Sequence, residues 1–411
     1  MSIIAQPPRL PFTQNQRHIL LALGSVVGLR MLGLFLVMPV FTLYGLQFTS
    51  SRVLAGLAFG SYGITMAIFQ IPMGRWSDRV GRRKVLIFGM TVFSLGSFLC
   101  ATPSWFPQSL GIWVLVVGRL VQGCGAIVSV AFATVADHIE PERRSTAMAA
   151  LGIPIGASFV LGIVGGPLLA GIFAKLLHVK PDGGGIAALF WLTGALSLLT
   201  DGLLLRYLPD TQPETRLRAP LAEVLRSGSL LAVDTSGLIL NFFMSSFFFY
   251  FPLIAKIQLG MSPTQYYEVL LPMLAANGIA MFAISHSADK GRIRPLAAAC
   301  FLIMAASAVL LFRPEMVGLD PRHLLALVVP GALFFVSFGG LEPMLPSEVS
   351  RSVSAGDYGT ALGVYNTMQF VGSSLGPPLA GALSKSASTP IMTVLAGASL
   401  LGFALMAGGR R

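Results

Sequence analysis

Twelve runs of mainly apolar residues follow one another along the chain, each bounded by charged residues or by proline and glycine. The pattern predicts helices near 18–44, 53–74, 84–103, 110–135, 145–174, 186–207, 230–256, 265–286, 294–312, 322–345, 357–383 and 388–408. Each is close to the roughly 20 residues that cross a hydrocarbon layer of about 30 Å. A soluble protein can bury one or two such helices, but twelve in succession leave it no polar shell. The stretch with Arg9, Pro11 and Arg17 runs directly into the first span, which holds Arg30 and shows no small-residue cleavage site. The first span therefore reads as a retained helix and not as a removable signal.

Composition agrees. The 411 residues are 54% hydrophobic and only 11% charged, with a mean hydropathy of +0.76, about half the charge of an ordinary soluble domain. The net charge of +11 would elsewhere suggest a nucleic-acid partner, but its distribution points to topology. With the N-terminus inside, 19 of 28 Lys and Arg residues fall on the cytoplasmic face and 7 on the other, while Arg30 and Arg119 lie within spans. Short cytoplasmic loops retain positive charge, so both termini are placed in the cytoplasm of a bacterial inner membrane, or a membrane derived from it. Cys100, Cys124 and Cys300 all fall in spans without paired spacing, which gives neither a disulfide framework nor a metal site. Nucleotide-binding, hydrolase and metalloprotease signatures are absent, so neither enzyme activity nor a cofactor is expected.

Sliding the chain against itself by about 210 residues exposes a repeat. Ser77-Asp78-Arg79-Val80-Gly81-Arg82 returns as Ala288-Asp289-Lys290-Gly291-Arg292, and Gly166-Pro167-Leu168-Leu169-Ala170-Gly171 returns as Gly376-Pro377-Pro378-Leu379-Ala380-Gly381. The expectation is two six-helix bundles, 1–207 and 230–411, joined by a polar cytoplasmic linker at 208–229 that carries Pro209, Pro213 and Pro220. Two parallel six-helix repeats suit alternating access, one half rocking against the other around a central path.

The residues also carry a family resemblance. Gly74-Arg75-Trp76-Ser77-Asp78-Arg79-Val80-Gly81-Arg82-Arg83-Lys84 resembles the major facilitator signature G-x-L-(S/A)-D-R-x-G-R-(R/K), with Trp76 in place of leucine. Arg119-Leu120-Val121-Gln122-Gly123-Cys124-Gly125-Ala126 is similar to the family's R-x-x-Q-G-x-G-A pattern in the fourth helix. Gly162, Gly166, Pro167 and Gly171 resemble its antiporter motif, with Ala170 where a glycine is usual. Leu29-Arg30-Met31-Leu32-Gly33, with Pro39, Tyr44 and Phe69-Gln70-Ile71-Pro72, resembles the YajR-like exporters of the drug:proton antiporter group. Those can carry a further soluble domain after the twelfth helix, whereas the sequence here stops at Arg411. The resemblance implies an all-α membrane fold of twelve helices in two pseudo-symmetric halves. It further implies a monomeric secondary transporter that moves a small organic solute by alternating access, by proton-coupled efflux.

Several residues have a physical reading of their own. Asp78, placed in a short cytoplasmic loop, can accept hydrogen bonds from free backbone N–H groups at a helix N-terminus. The helix starting near Gly359 and Thr360 in the opposite half is the expected partner, and the resemblance implies that this contact latches the outward-facing state. Arg75, Arg79 and Arg82, with Arg83 beside them, are expected to form a charge network with Asp137. The glycines at 162, 166 and 171 permit close helix packing, and in relatives that motif separates exporters from importers.

Ionisable groups inside spans are functional candidates by default. Arg30 and Arg119, with Gln122 one turn on, are expected to face the central cavity, and the resemblance implies that the fourth-helix arginine contributes to proton transfer. Among the acids Asp137, Asp201, Asp234 and Glu342, Glu342 is the expected protonation site. Asn241, Phe243, Phe247, Tyr250, Tyr365, Asn366 and Gln369, with Asn277, form a candidate amphipathic pocket, although an aromatic run covering all faces of a helix also suits core packing. Many drug:proton antiporters carry an acid in the first helix and this chain carries none there, which opens an alternative. Two fixed guanidinium groups can bind an organic anion, with symport, exchange or facilitated passage. A transport-inactive membrane sensor or scaffold is the third class.

Overall fold

The computed structural model describes residues 12–210, 227–288, 293–353, 358–383 and 389–408. Fourteen α-helices fill them: α1 (Gln14–Val37), α2 (Phe41–Gly45), α3 (Arg52–Val80), α4 (Arg82–Ala101), α5 (Gln108–Cys124), α6 (Val128–His138), α7 (Pro141–Leu177), α8 (Ile186–Tyr207), α9 (Gly228–Ile257), α10 (Tyr267–Ala288), α11 (Ile293–Phe312), α12 (Leu325–Ser352), α13 (Tyr358–Leu383) and α14 (Thr389–Gly408). Two predicted spans are interrupted. The first breaks into α1 and α2 at Pro39, and the fourth into α5 and α6 at Gly125. The predicted linker at 208–229 lies mostly outside the described residues, and α9 begins two positions inside it.

Helix starts are set by local chemistry. Thr13 Oγ1 accepts from the Gln16 backbone N–H at 3.3 Å while Gln16 Oε1 accepts from the Thr13 N–H at 3.1 Å, a reciprocal pair that satisfies two otherwise orphaned donors. Prolines within α3, α7, α9, α10, α12 and α13 are tolerable because neighbouring helices and hydroxyl side chains take up the freed backbone groups.

Among the described residues, eleven helical stretches are long and apolar enough to cross a membrane. The remaining predicted span, α13, is 26 residues long but carries Thr360, Asn366, Thr367, Gln369, Ser373 and Ser374. Its polarity is explained by its place, since it packs between α3 on one side and α9 on the other, away from the surface a lipid would wet. The helices α1, α3–α5, α7 and α8 pack among themselves, as do α9–α14, and α3 with α13 supplies the main contact between the groups. One end of the bundle is rich in arginine, from Arg75 to Arg83, Arg206, Arg294 and Arg351, and is called the basic end below.

Candidate functional site

The signature segment is not a loop. Arg75 to Val80 form the last turns of α3, and Gly81 alone separates them from α4. Gly81 has φ 102°, a conformation in which a side chain is strained, so a residue without Cβ reverses the chain there in one step. Asp78 thus sits at the C-terminal end of its own helix. Its ion pair is with Arg82 at 2.6 Å. Arg82 also donates from Nε to Asp137 Oδ2 at 2.8 Å and from Nη1 to Ser77 Oγ at 2.5 Å. Ser77 in turn donates to the Gly74 carbonyl at 2.7 Å. The expected network therefore centres on Arg82, whereas Arg75 and Arg79 are exposed. Arg83 donates instead to the Leu205 carbonyl at 2.8 Å, tying α4 to α8. Among the described residues, a Cβ built at Gly359 or Gly363 of α13 meets nothing within 4 Å.

Arg30 and Arg119 do not face an open cavity. They are 1% and 3% exposed, sealed inside the N-terminal helices. Arg30 donates from Nη2 to Met66 Sδ at 3.0 Å and lies 5.3 Å over the Phe93 ring; its Nε and Nη1 have no hydrogen-bond partner. Arg119 donates to Gln122 Oε1 at 2.8 Å and sits over the rings of Tyr62 at 4.7 Å and Phe41 at 5.1 Å. Gln122 passes the chain on to Ser97 Oγ at 2.7 Å. Cation–π contacts of this kind recover about 2 kcal/mol when desolvated, which is far less than the desolvation of a buried cation.

The candidate pocket separates into four places. Phe243 and Phe247 are buried and stack on Phe334 at 5.1 and 5.0 Å, so they are core. Tyr250 is near the far end of α9 and donates to the Ala380 carbonyl at 3.0 Å. Asn241, Tyr365 and Gln369 lie on a seam between α9 and α13, where Gln369 Nε2 donates to Tyr365 Oη at 3.2 Å and Ser373 Oγ to Asn241 Oδ1 at 3.4 Å. Asn366 is half-buried beside Tyr365, and Asn277 ties α10 to the Phe335 carbonyl at 3.0 Å.

An acid that sequence reasoning ranked low belongs to the same seam. Asp234 is 4% exposed, its Oδ1 has no partner, and it forms no ion pair with a described residue. Asp234 and Glu342 both lie within electrostatic reach of the Tyr365 hydroxyl. Glu342 is exposed and follows Phe338 by one helical turn, so the two share a face. Phe338 stacks at 5.4 Å on Phe159 of α7 in the other helix group. Glu342 consequently opens into the gap between the groups, on the basic side of that aromatic contact. Asp201 is elsewhere, accepting from Thr91 Oγ1 at 3.0 Å between α4 and α8.

The gap closes away from the basic end. Cβ atoms built at Gly56, Gly60 and Gly63 of α3 would lie 2.3, 2.3 and 2.7 Å from the carbonyl oxygens of Pro377, Ser374 and Phe370. Gly381 of α13 meets the Arg52 carbonyl in the same way at 2.3 Å. Lys256 and Asp182 pair across the two groups at this end. On α7, Gly162 and Gly166 fit against Phe35 and Leu36 of α1, Gly171 against Thr264 of the other group. Pro167 lies within the helix between them. Toward the basic end, Gly152 and Gly156 of α7 have open space. The α3 stripe was readable as small residues three and four apart; the aromatic contact and the Lys256–Asp182 pair had no local signal.

Comparison with known proteins accounts for this arrangement. The sequence profile of the Major Facilitator Superfamily matches residues 23–377. The chain is 32% identical over 377 residues to the inner membrane transport protein YajR of Escherichia coli strain K12, covering 90% of this chain and 78% of that one. It is 34% identical over 168 residues to an Escherichia coli tetracycline resistance protein, class E, covering 40% of this chain and 38% of that one. In fold it is similar to a bacterial homologue of the human lysosomal transporter Spinster in an inward-facing, occupied conformation, with a TM-score of 0.73 at 16% identity over 97% of this chain and 94% of that one. A twelve-helix design, a signature segment pinned by Arg82 and a profile match over most of its length make this chain a membrane transporter that belongs to the Major Facilitator Superfamily.

Proposed function

We propose that this transporter exports a small organic solute across a bacterial inner membrane in exchange for protons, by rocking two helix groups, 1–207 and 230–411, about the gap between them. The basic end lies in the cytoplasm in this reading, so the state described opens inward. The observation that carries proton coupling is Asp234. A carboxyl inside the bilayer without a cation beside it is a functional group by default, and proton relays are built from such acids. Tyr365 is within electrostatic reach of both Asp234 and Glu342, and a proton exchanging with the aqueous side would pass along these three groups. Similarity to a resistance protein and the α7 glycine motif support export.

In proteoliposomes carrying a pH gradient, Asp234→Asn is expected to abolish gradient-driven flux while solute exchange without a gradient survives. Glu342→Gln should slow both. Gradient-driven flux retained by Asp234→Asn removes the proton-carrier role. A second reading rests on the unpaired Nε and Nη1 of Arg30: an organic anion as solute, its negative charge meeting that guanidinium during the cycle. Flux of anionic over cationic candidates, lost in Arg30→Gln, would favour it.

A further inference from the structure

A groove of about 600 Å³ opens between α11, α12 and α14 at the basic end, outside the gap between the helix groups. Its polar lining is Arg294, Glu348 and Arg351; the rest is apolar, including Ala299, Leu302, Phe403 and Ala407. Arg294 is the second residue of α11 and Arg351 the last but one of α12, so both cations stand at the ends of spans, where a phospholipid phosphate lies. Arg294 is fixed by Nε donation to Glu348 Oε1 at 2.6 Å, which leaves its Nη groups for another acceptor. Arg351 is exposed and forms no ion pair with a described residue. The groove thus carries one net positive charge at its polar end, and Leu302, 43% exposed, continues it along the lipid-facing side of α11.

The other half offers a contrast. The offset that carries Asp137 to Glu348 carries Glu140 to Arg351, and Glu140 is an acid held by Gln16 Nε2 at 3.0 and 3.1 Å. The offset places an acid held by Gln16 in one half and, in the other, a guanidinium with no ion pair among the described residues. We propose that this groove binds an anionic phospholipid of the adjacent leaflet, its phosphate bridging Arg294 and Arg351 and one acyl chain lying past Leu302. A soluble polar ligand would find no hydroxyl or amide side chain among the lining residues, and a cation would be repelled. An anionic lipid meets both the charge and the apolar wall.

The test is native mass spectrometry of the full chain released from nanodiscs of phosphatidylglycerol and phosphatidylcholine in equal parts. Wild type should retain phosphatidylglycerol preferentially, and a tenfold excess of inorganic phosphate should not displace it. Arg351→Gln should reduce retention about fivefold, the loss expected for one arginine at a membrane surface, without touching the Arg294–Glu348 pair. Leu302→Trp, which fills the groove, should do the same in a protein of unchanged circular dichroism. Equal retention of both lipids, displacement by phosphate, or undiminished retention in well-folded Arg351→Gln and Leu302→Trp overturns the proposal.

Discussion

Arg82 donates from Nε to Asp137 Oδ2 at 2.8 Å, and in the C-terminal half Arg294, two residues beyond the returning motif, donates from Nε to Glu348 Oε1 at 2.6 Å. Both pairs join the first turn of one span to the final turns of the next at the basic end. An arginine-to-carboxylate tie of this kind therefore stands within each half, built in the N-terminal half from the motif's own Arg82. Asp78 adds a second acid to Arg82 in the N-terminal half, so one guanidinium there holds α3, α4 and α6 together.

That convergence predicts an order of stabilities. Arg82→Gln removes the donor shared by Asp78, Asp137 and Ser77 and should cost about 1.5–3 kcal/mol, the range for hydrogen bonds to charged groups. Asp78→Asn leaves the Asp137 bond in place and should cost less. Thermal unfolding of the three proteins in detergent checks the order, and an Asp78→Asn protein weaker than Arg82→Gln would contradict it.

The glycine stripe on α3 predicts a shift in conformation. At Gly60 a Cβ would lie 2.3 Å from the Ser374 carbonyl oxygen, and backbone cannot give way as a side chain can. Gly60→Val should destabilise the end closed here by about 1–3 kcal/mol, as overpacking does, or roughly 5- to 150-fold in population. Spin-label distances between α3 and α13 at that end should lengthen. Unchanged distances would mean that the helices are not held by this contact.

Much of this was legible before any coordinates. Span length is fixed by bilayer thickness, so most helix ends fell within about four residues of expectation, while α3 and α12 run six and seven residues further at the basic end, and α13 was found from its apolar run even though its hydropathy is low. What failed was orientation around helix axes. Arg30 and Arg119 were placed toward a cavity because a charge in a span needs a partner, but rings of Phe93, Tyr62 and Phe41 and the Met66 sulfur surround them, and no sequence rule locates such neighbours. Asp78 was assigned to a loop because it falls between the second and third apolar runs, 53–74 and 84–103; in the fold α3 continues to Val80 and only Gly81 breaks the helix. Asp234 was passed over because its nearness to Tyr365 depends on α9 meeting α13, a contact 131 positions apart in the sequence.

Glu140 predicts a pH dependence at the basic end. Backbone hydrogen bonding and then the Gln16 amide hold its carboxyl below the ordinary value of 4.5. A carboxyl depressed on folding contributes stability above its unfolded value, and that contribution is lost as pH falls through the folded one. Gln16→Ala should flatten this part of the stability profile below about pH 5 and leave neutral pH nearly untouched. Melting temperatures across that range measure it; parallel profiles for the two proteins would rule the Gln16 contact out as a cause.

Lys256 and Asp182 pair across the helix groups at the closed end, but their side chains are 48% and 25% exposed. An exposed pair contributes about 0–1 kcal/mol, less than the packing of three glycines against backbone. Charge reversal by Lys256→Glu should therefore change flux less than about fivefold, and adding Asp182→Lys should restore it. Their closeness is nevertheless useful. A Lys256→Cys, Asp182→Cys protein bridged by a bifunctional methanethiosulfonate that replaces the length of the lysine stem would tether the two groups at the end that must part for release, so flux should stop and return on reduction. Because the tether removes motion and leaves the gap intact, solute binding from the basic end should persist. Flux that continues through a fully cross-linked protein would show that the closed end does not open during transport.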